Sequence, residues 1–419
     1  MVKCVFDFGQ NDFQRLSVSL IQKFVERGTS GMRITVDSLI PFSINLQSGV
    51  YNLSKFKYCI VLVLPVSACI AFLTTGVSTL LPVLFFFGVV PAVELILKPD
   101  HHNNDRTERA ILANEVFFNW LLYILVLVLI SVAVLFVFTI SIPSLTIPNL
   151  IGRILSMGIM CGVAINVGHE LGHRSNRMEQ LLGEIALLIS LENQFLPYHN
   201  YCHHKNVATP QDPATARRNE SVYWFWVRSQ VGSYVQAWQV EINNQRRKHR
   251  HPFSVQNRMV CYTAAQICLL LVLFFRFGLK TMLAFIAAAI IGKLVLETVN
   301  YIEHYGLTRK INAAGKYERV LPVHSWNSDH LFGRALMFEL PRHSDHHFKA
   351  NKPYQILDSF PESPQLPTGY PGMMLLALVP PLWFRLMNPK IVECPGLTEL
   401  SGMKSGVKPE HSTLSDFAR

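Results

Sequence analysis

Residues 151–173 read IGRILSMGIMCGVAINVGHELGH. The stretch begins as membrane-type sequence, predominantly apolar over 151–166, and ends on His169, Glu170 and His173. If the helix runs on through this end, positions i and i+4 share a face and both imidazoles point the same way. An apolar helix that carries two metal-type ligands at its tip predicts a membrane-spanning element with a polar site at one surface. The rest of the chain is read outward from it.

An apolar segment of about 20 residues can cross a bilayer core roughly 30 Å thick. Residues 58–75, 77–97, 116–139 and 259–275 approach that length, and 282–299, like 151–166, is apolar until its C-terminal end turns polar. The expected fold is an all-α integral membrane protein, a six-transmembrane helical bundle with a histidine-rich cap. An even number of spans places both termini on one face. With 50% hydrophobic and only 16% charged residues, the 419-residue chain excludes a disordered polymer and does not suit an ordinary soluble enzyme.

Lys and Arg concentrate in cytoplasmic loops near span ends. The far-side hairpin tips hold only Arg276 and Lys280, while the other face collects Lys98, Arg106, Arg109, the run Arg246-Arg247-Lys248-His249-Arg250 and the basic residues from Arg309 onward. The histidines and both termini are therefore expected in the cytoplasm. The net charge of +10 reads as membrane topology, since no nucleic-acid-binding module accompanies it. Residues 181–197, with Glu184, Glu192 and Asn193, are too short and polar to span, so they should return the chain to the same face and keep the next histidines near the first.

The eight cysteines are scattered and form no CxxC, which excludes a disulfide scaffold or a four-Cys metal module. No cleavable signal is visible at the N-terminus. Phe13, Leu16, Leu20 and Phe24 recur at helical spacing between a cap at Asn11 or Asp12 and a stop at Gly28. They predict an amphipathic helix, on the membrane or packed on the cytoplasmic domain.

Thirteen of the sixteen histidines lie between His169 and His347. Besides the first box there are His199-Asn200-Tyr201-Cys202-His203-His204 and His343-Ser344-Asp345-His346-His347, with Glu303-His304 between them. The second and third boxes each hold a pair at helical spacing plus an adjacent His on another face, able to reach a second metal. A lone His at a helix end is ordinarily a hydrogen-bonding residue, but three clusters on one side of a membrane are a metal-ligand supply. Structural zinc takes four ligands and catalytic zinc three plus water, so eight imidazoles and His304 suit two ions. Nitrogen ligands alone fit iron, zinc, copper or nickel. In the last span Lys293 and Glu297 stand at i,i+4 and can neutralise one another. Alternatively Glu297, Asn300 and His304 form a polar stripe leading to the metals, with Glu297 or Asn300 orienting a ligand.

The stretches NVGHELGHR, HHKNVATPQDPATAR, NYIEHYG, HSWNSDH, RHSDHH and LPTGYPGMM, over about residues 166–374, resemble the integral-membrane non-haem di-iron alkane hydroxylases of the fatty acid desaturase and hydroxylase superfamily. NYIEHYG is the specific element. The resemblance implies six spans and a cytoplasmic cap with two non-haem irons held by His169, His173, His199, His203, His204, His304, His343, His346 and His347. His324 and His330 stay outside that set. Tyr198 and Cys202 depart from the family pattern, which places an acidic residue and a glycine there; a missing carboxylate would weaken the orientation of His199.

The implied reaction is O2-dependent hydroxylation of an unactivated C–H bond, most simply the terminal carbon of an alkane drawn from the bilayer. Spans 77–97 and 116–139 are expected to wall its channel. With no flavin, haem or iron–sulfur motif in the chain, electrons come from a separate protein, in the family typically rubredoxin with its reductase. The basic face would steer an acidic carrier or bind membrane lipids. The membrane would be the inner membrane of a bacterium or the endoplasmic reticulum. Domain boundaries are expected at 1–50 for the N-terminal segment, 51–390 for the hydroxylase domain and 391–419 for the tail. Competing readings are an acyl-lipid desaturase or hydroxylase on the same metals, an HExxH zinc protease with Glu170 as general base, and a non-catalytic metal-binding or transport protein. In the hydroxylase reading Glu170 only supports a neighbouring ligand.

Overall fold

The structure, a computed structural model, describes residues 54–393. The amphipathic helix expected around Phe13 to Phe24 lies outside the described residues. Helices α1 (Lys55–Leu73) and α2 (Gly76–Ile96) are followed by the short α3 (Arg106–Asn114) and by α4 (Phe117–Ser141) and α5 (Ile147–Gly172). Next come α6 (Arg177–Ile189), α7 (195–206), α8 (Val222–Arg247) and α9 (Arg258–His304). The cap adds α10 (Leu331–Leu336), α11 (His343–Phe348), α12 (Tyr370–Ala377) and α13 (Pro380–Glu393). Among the described residues there is no β-sheet, only two isolated bridges.

Local sequence sets these boundaries. Asn176 caps α6 by accepting from the Met178 amide at 2.8 Å, Asn257 caps α9 through Met259 at 2.8 Å, and Asp105 and Glu108 form a reciprocal capping box at α3. Among the described residues five helices are long and apolar enough to cross a membrane: α1, α2, α4, α5 and α9. The apolar segments 259–275 and 282–299, read from sequence as two spans, fall within the single 47-residue α9. A straight helix of that length would measure about 70 Å, more than twice a bilayer core. It is interrupted at Gly278, whose φ of 82° and ψ of 172° lie where only glycine sits without strain. Beside the break, Phe277 packs edge-on against Phe138 and Lys280 donates to the Ile142 carbonyl at 2.8 Å. At the opposite ends, Met259 packs with Tyr198, and His304 meets His343. Both ends of α9 therefore lie by the histidines, and Gly278 lies at the other end of the bundle.

α5 is the central helix, packed most extensively on α9 and α6. Small residues permit the approach: a Cβ on Gly292 would fall 2.3 Å from Cβ of Cys161, and one on Gly183 would fall 3.0 Å from the Gly168 carbonyl oxygen. α6 packs back along α5, and the turn beyond it reverses at Leu191, with φ 53°, before α7 begins. Residues 181–197 thus form a re-entrant excursion. At the far end the buried Arg153 donates to the carbonyls of Thr139 (2.9 Å) and Thr74 (3.0 Å), so its charge is met by the chain ends of α4 and α1.

The cap is fastened by a buried ionic hub. Glu339 accepts from Tyr58 of α1 at 2.7 Å and from Arg334 at 2.5 Å, and pairs with Lys57 at 3.3 Å. The Arg342 guanidinium donates to the carbonyls of Leu357 (2.6 Å) and His102 (2.8 Å) and to Asp329 (3.3 Å). Phe338 and Glu339 both have positive φ, 53° and 56°, a backbone turn held by these contacts immediately ahead of the third histidine box.

Candidate metal centre

Four separate elements deliver nine histidines to one place at the end of the bundle. They form two groups, His169, His173, His199, His204 and His346, and His203, His304, His343 and His347, with the ligand-type atoms inside each group within 4.8 Å of one another. The groups abut, since the rings of His204 and His347, one from each, are 4.6 Å apart. His324 and His330 stand apart: His324 meets Glu318 and the Leu321 amide, and His330 meets Ser328.

The second box does not divide as an α-helix would divide it. Its residues 199–203 form a π turn inside α7, which brings i and i+5 to one face instead of i and i+4. His199 and His204 therefore meet, Nε2 to Nε2 at 2.9 Å, and His203 is turned into the four-histidine group. The pair expected from α spacing, His199 with His203, is split. In the third box α geometry persists: His343 and His347 meet at 2.9 Å and His346 is directed to the other group, 3.0 Å from His169.

The donor chemistry tests whether this arrangement fits metal ions. His204 Nε2 lies 2.9 Å from Nε2 of His199 and 3.3 Å from that of His173; His343 Nε2 lies 2.9 Å from His347, 3.2 Å from His304 and 3.2 Å from a Glu303 oxygen. A ring nitrogen carries at most one proton, so each can satisfy only one such neighbour by hydrogen bonding. For metal–nitrogen bonds of about 2.1 Å, adjacent ligands at right angles are separated by about 3.0 Å. The observed spacings match that edge, and the residues fit two metal ions.

Burial lowers the pKa of His173 to about 4 and takes His199, His204, His343, His346 and His347 well below the ordinary imidazole value; crowding by the other imidazoles, and Arg174 beside His173, adds to the effect. The rings are thus held neutral with lone pairs available, the form a metal requires. His203 is oriented by Asp212, whose Oδ2 is 3.0 Å from its Nδ1, leaving the buried Nε2 without a protein partner and free for its group. Burial alone would raise the Asp212 carboxyl, but His203 and hydrogen bonds from Thr215 and Tyr198 bring it down to about 2. Tyr198, one of the departures in the second box, donates to the same carboxylate. A carboxylate is therefore present, but it comes from the loop after α7 and serves His203 rather than His199.

Glu170 lies 2.8 Å from Arg174 and accepts from the Tyr354 amide at 3.4 Å; its described partners include no histidine. Both contacts fall on its Oε1 and tie the carboxylate to Arg174 and the cap. Lys293 pairs with Glu192 at 3.0 Å, not with Glu297. Glu297 instead accepts from Gln230 at 2.7 Å and Asn300 at 3.4 Å, and touches no histidine. Glu303, passed over in the sequence because His304 is the obvious ligand type, is buried against His343 with one oxygen unpartnered.

An apolar cavity leads away from the histidines. About 750 Å³ of empty space, its open mouth included, is lined at one end by His169, His199, His343, Asn300 and Glu303 and elsewhere by residues such as Leu64, Phe86, Ile159 and Val295. Ile159 stands ten residues before His169 on α5, about 15 Å along the helix. Span 77–97 contributes Phe86, but no residue of 116–139 lines the cavity; α5 and the second half of α9 take that place.

The chain matches the fatty acid desaturase family over residues 144–376. It is 35% identical to an alkane 1-monooxygenase of Ectopseudomonas oleovorans over 322 residues, 77% of this chain and 80% of the relative. It is 34% identical to alkane 1-monooxygenase 1 of Alcanivorax borkumensis over 352 residues, 81% of this chain and 87% of the relative. The hydroxylase component of a xylene/toluene monooxygenase from Pseudomonas putida is 32% identical over 243 residues, 57% of this chain and 64% of the relative.

Proposed function

The chain belongs to the fatty acid desaturase family, and from that premise we infer that it is a membrane monooxygenase that hydroxylates alkanes, acting at the terminal carbon. The observation that carries the reading is the junction of nine converging imidazoles with the polar end of an apolar cavity inside the bundle. The overall reaction consumes an alkane, O2, two electrons and two protons and yields a primary alcohol and water. His169, His173, His199, His204 and His346 would hold one iron, and His203, His304, His343 and His347 the other. When bound, the irons supply the activation of O2.

The protein's own part is placement. Leu64, Phe86, Ile159 and Val295 confine a hydrocarbon chain and exclude water, so that its end lies at His343, Glu303 and Asn300. Glu297 fixes the Asn300 amide and Asp212 fixes His203. Glu170 secures the end of α5 through Arg174, a positioning role.

Counting each arm of α9 separately would give six crossings, and the charge asymmetry supports a metal end that faces the cytoplasm. A bacterial inner membrane or the endoplasmic reticulum satisfies that topology. Residues 51–390 would constitute the hydroxylase domain. Electrons would arrive from a separate acidic redox protein, rubredoxin or an equivalent, at the basic face. The test is elemental analysis of the purified protein, followed by an assay with a panel of alkanes and acyl lipids under O2 and a reductant. Two irons per chain and a primary alcohol are expected; full turnover with zinc alone, or a double bond in an acyl chain as the product, would overturn the reading.

A further inference from the structure

α8 is too polar over its length to count among the spans, yet it carries a large uncovered apolar face. Tyr223, Trp224, Val227, Val231, Tyr234 and Val235 are between 41% and 62% exposed. At 3.6 residues per turn they fall within an arc of about 120°, which over residues 223–235 contains no charged residue. The other side, from Phe225 and Ser229 to Ser233 and Ala237, is buried, and Glu241 further along is buried where the helix meets the start of α9.

The attachments of α8 fix its level. Near its start Trp226 donates to Thr298 at 3.0 Å, and near its end Glu241 accepts from the Arg258 amide at 3.2 Å while Gln245 donates to the Gln256 carbonyl at 3.1 Å. The arm of α9 from Gly278 to His304 is about 39 Å long against a core of roughly 30 Å, so about its last six residues project beyond the hydrocarbon. Thr298 thus stands at the boundary. Arg258, which opens the other arm, stands at the same boundary, and α8 connects the two along the membrane plane. In the last turn of α8 and just past it, Arg246, Arg247, Lys248 and Arg250 are exposed, followed by Phe253 (63% exposed) and Val255 (75% exposed).

We propose that α8 and the segment to Val255 form an in-plane lipid-binding element. The Tyr/Trp/Val stripe would sink into the cytoplasmic leaflet, and the four cations would bind anionic phospholipid headgroups. An aromatic, uncharged arc on a helix at boundary level is what a leaflet solvates, and the basic end supplies charge complementarity to acidic lipid. The proposal rests on the membrane orientation inferred from the charge asymmetry and not on the reaction, so it can fail while hydroxylation stands, and the reverse.

The test uses the full chain in nanodiscs. The Trp224 signal, taken as the difference between wild type and Trp224→Phe, should be strongly quenched by lipids brominated on the acyl chain and resist aqueous iodide. In mixed phosphatidylcholine and phosphatidylglycerol discs, neutralising Arg246, Arg247, Lys248 and Arg250 to Gln should weaken enrichment of the anionic lipid, by about fivefold for each charge that engages it. Iodide quenching of Trp224 without bromolipid quenching would overturn the placement. Undiminished anionic-lipid enrichment in the neutralised protein, or loss instead of its binding to an acidic redox protein, would overturn the lipid assignment.

Discussion

Asp212 offers the sharpest perturbation of the metal centre, because it touches one ligand of one group. Its Oδ2 faces His203 Nδ1 at 3.0 Å and the Thr215 hydroxyl at 2.6 Å, while Oδ1 meets Tyr198 and the Ala214 amide. Asp212→Asn can keep a carbonyl oxygen toward His203 by placing its amide nitrogen at Tyr198, whose hydroxyl can accept; the Ala214 amide loses the Oδ1 acceptor, the orientation of His203 survives and the charge is lost. Asp212→Ala removes both and frees the imidazole to turn or change tautomer. Removal of such supporting partners typically lowers metal affinity 10- to 100-fold, about 1.4 to 2.7 kcal/mol. About tenfold is expected for the asparagine variant and about a hundredfold for the alanine. The loss should fall on the group of His203, His304, His343 and His347, with the five-histidine group changed much less. Anaerobic iron titration of the purified chain, read by elemental analysis of bound metal, should turn from two equivalents to one at limiting iron. Variants that load both metals with unchanged affinity, or lose the five-histidine metal first, would refute the orienting role of Asp212.

His204→Ala and His347→Ala should each deplete the metal of their own group and abolish turnover while leaving membrane insertion intact, as measured by metal content and membrane fractionation. Glu170→Gln should retain both metals and lower activity less than either, because its partners are Arg174 and Tyr354. Ile159→Phe, set about 15 Å from the metal end, should cut turnover of the longest accepted alkanes at least tenfold, with overpacking of about 1–3 kcal/mol; Ile159→Ala should extend the range, both checked by product chromatography. Burial would raise the Glu339 carboxyl, but Arg334, Lys57 and Arg342 bring it down to about 2 from 4.5. Its folded value lies below its unfolded one, so its stabilisation, on the order of 3 kcal/mol, is present above pH 4.5 and disappears as pH falls toward 2. Thermal melts from pH 7 to pH 3 should show a steeper loss for wild type than for Glu339→Gln, which begins less stable because Arg334 and Arg342 lose their buried partner.

The bundle was legible in sequence because bilayer thickness imposes a length on apolar runs, and the nine imidazoles because ligand chemistry restricts residue type. What stayed hidden depended on backbone detail or distant partners. Gly278 reads as an ordinary residue between two apolar runs, and only its positive φ reveals one interrupted helix. The split of His199 from His203 requires a π turn, which no periodicity announces. Lys293 has Glu297 at helical spacing, but Glu192 on the re-entrant turn comes closer in space. Asp212 follows His203 by nine positions through an irregular loop, so its pairing could not be read from spacing.

The π turn in α7 carries a consequence for how this protein tolerates change. It adds one residue to a helix turn that sends His203 to the four-histidine group and His204 to the five-histidine group. Deleting Asn200, Tyr201 or Cys202 would leave His199 and His204 four positions apart, the spacing a regular turn also brings to one face, so the two would still meet. One more residue in the same place would demand a turn wider still and part them. The segment can lose a position more safely than it can gain one.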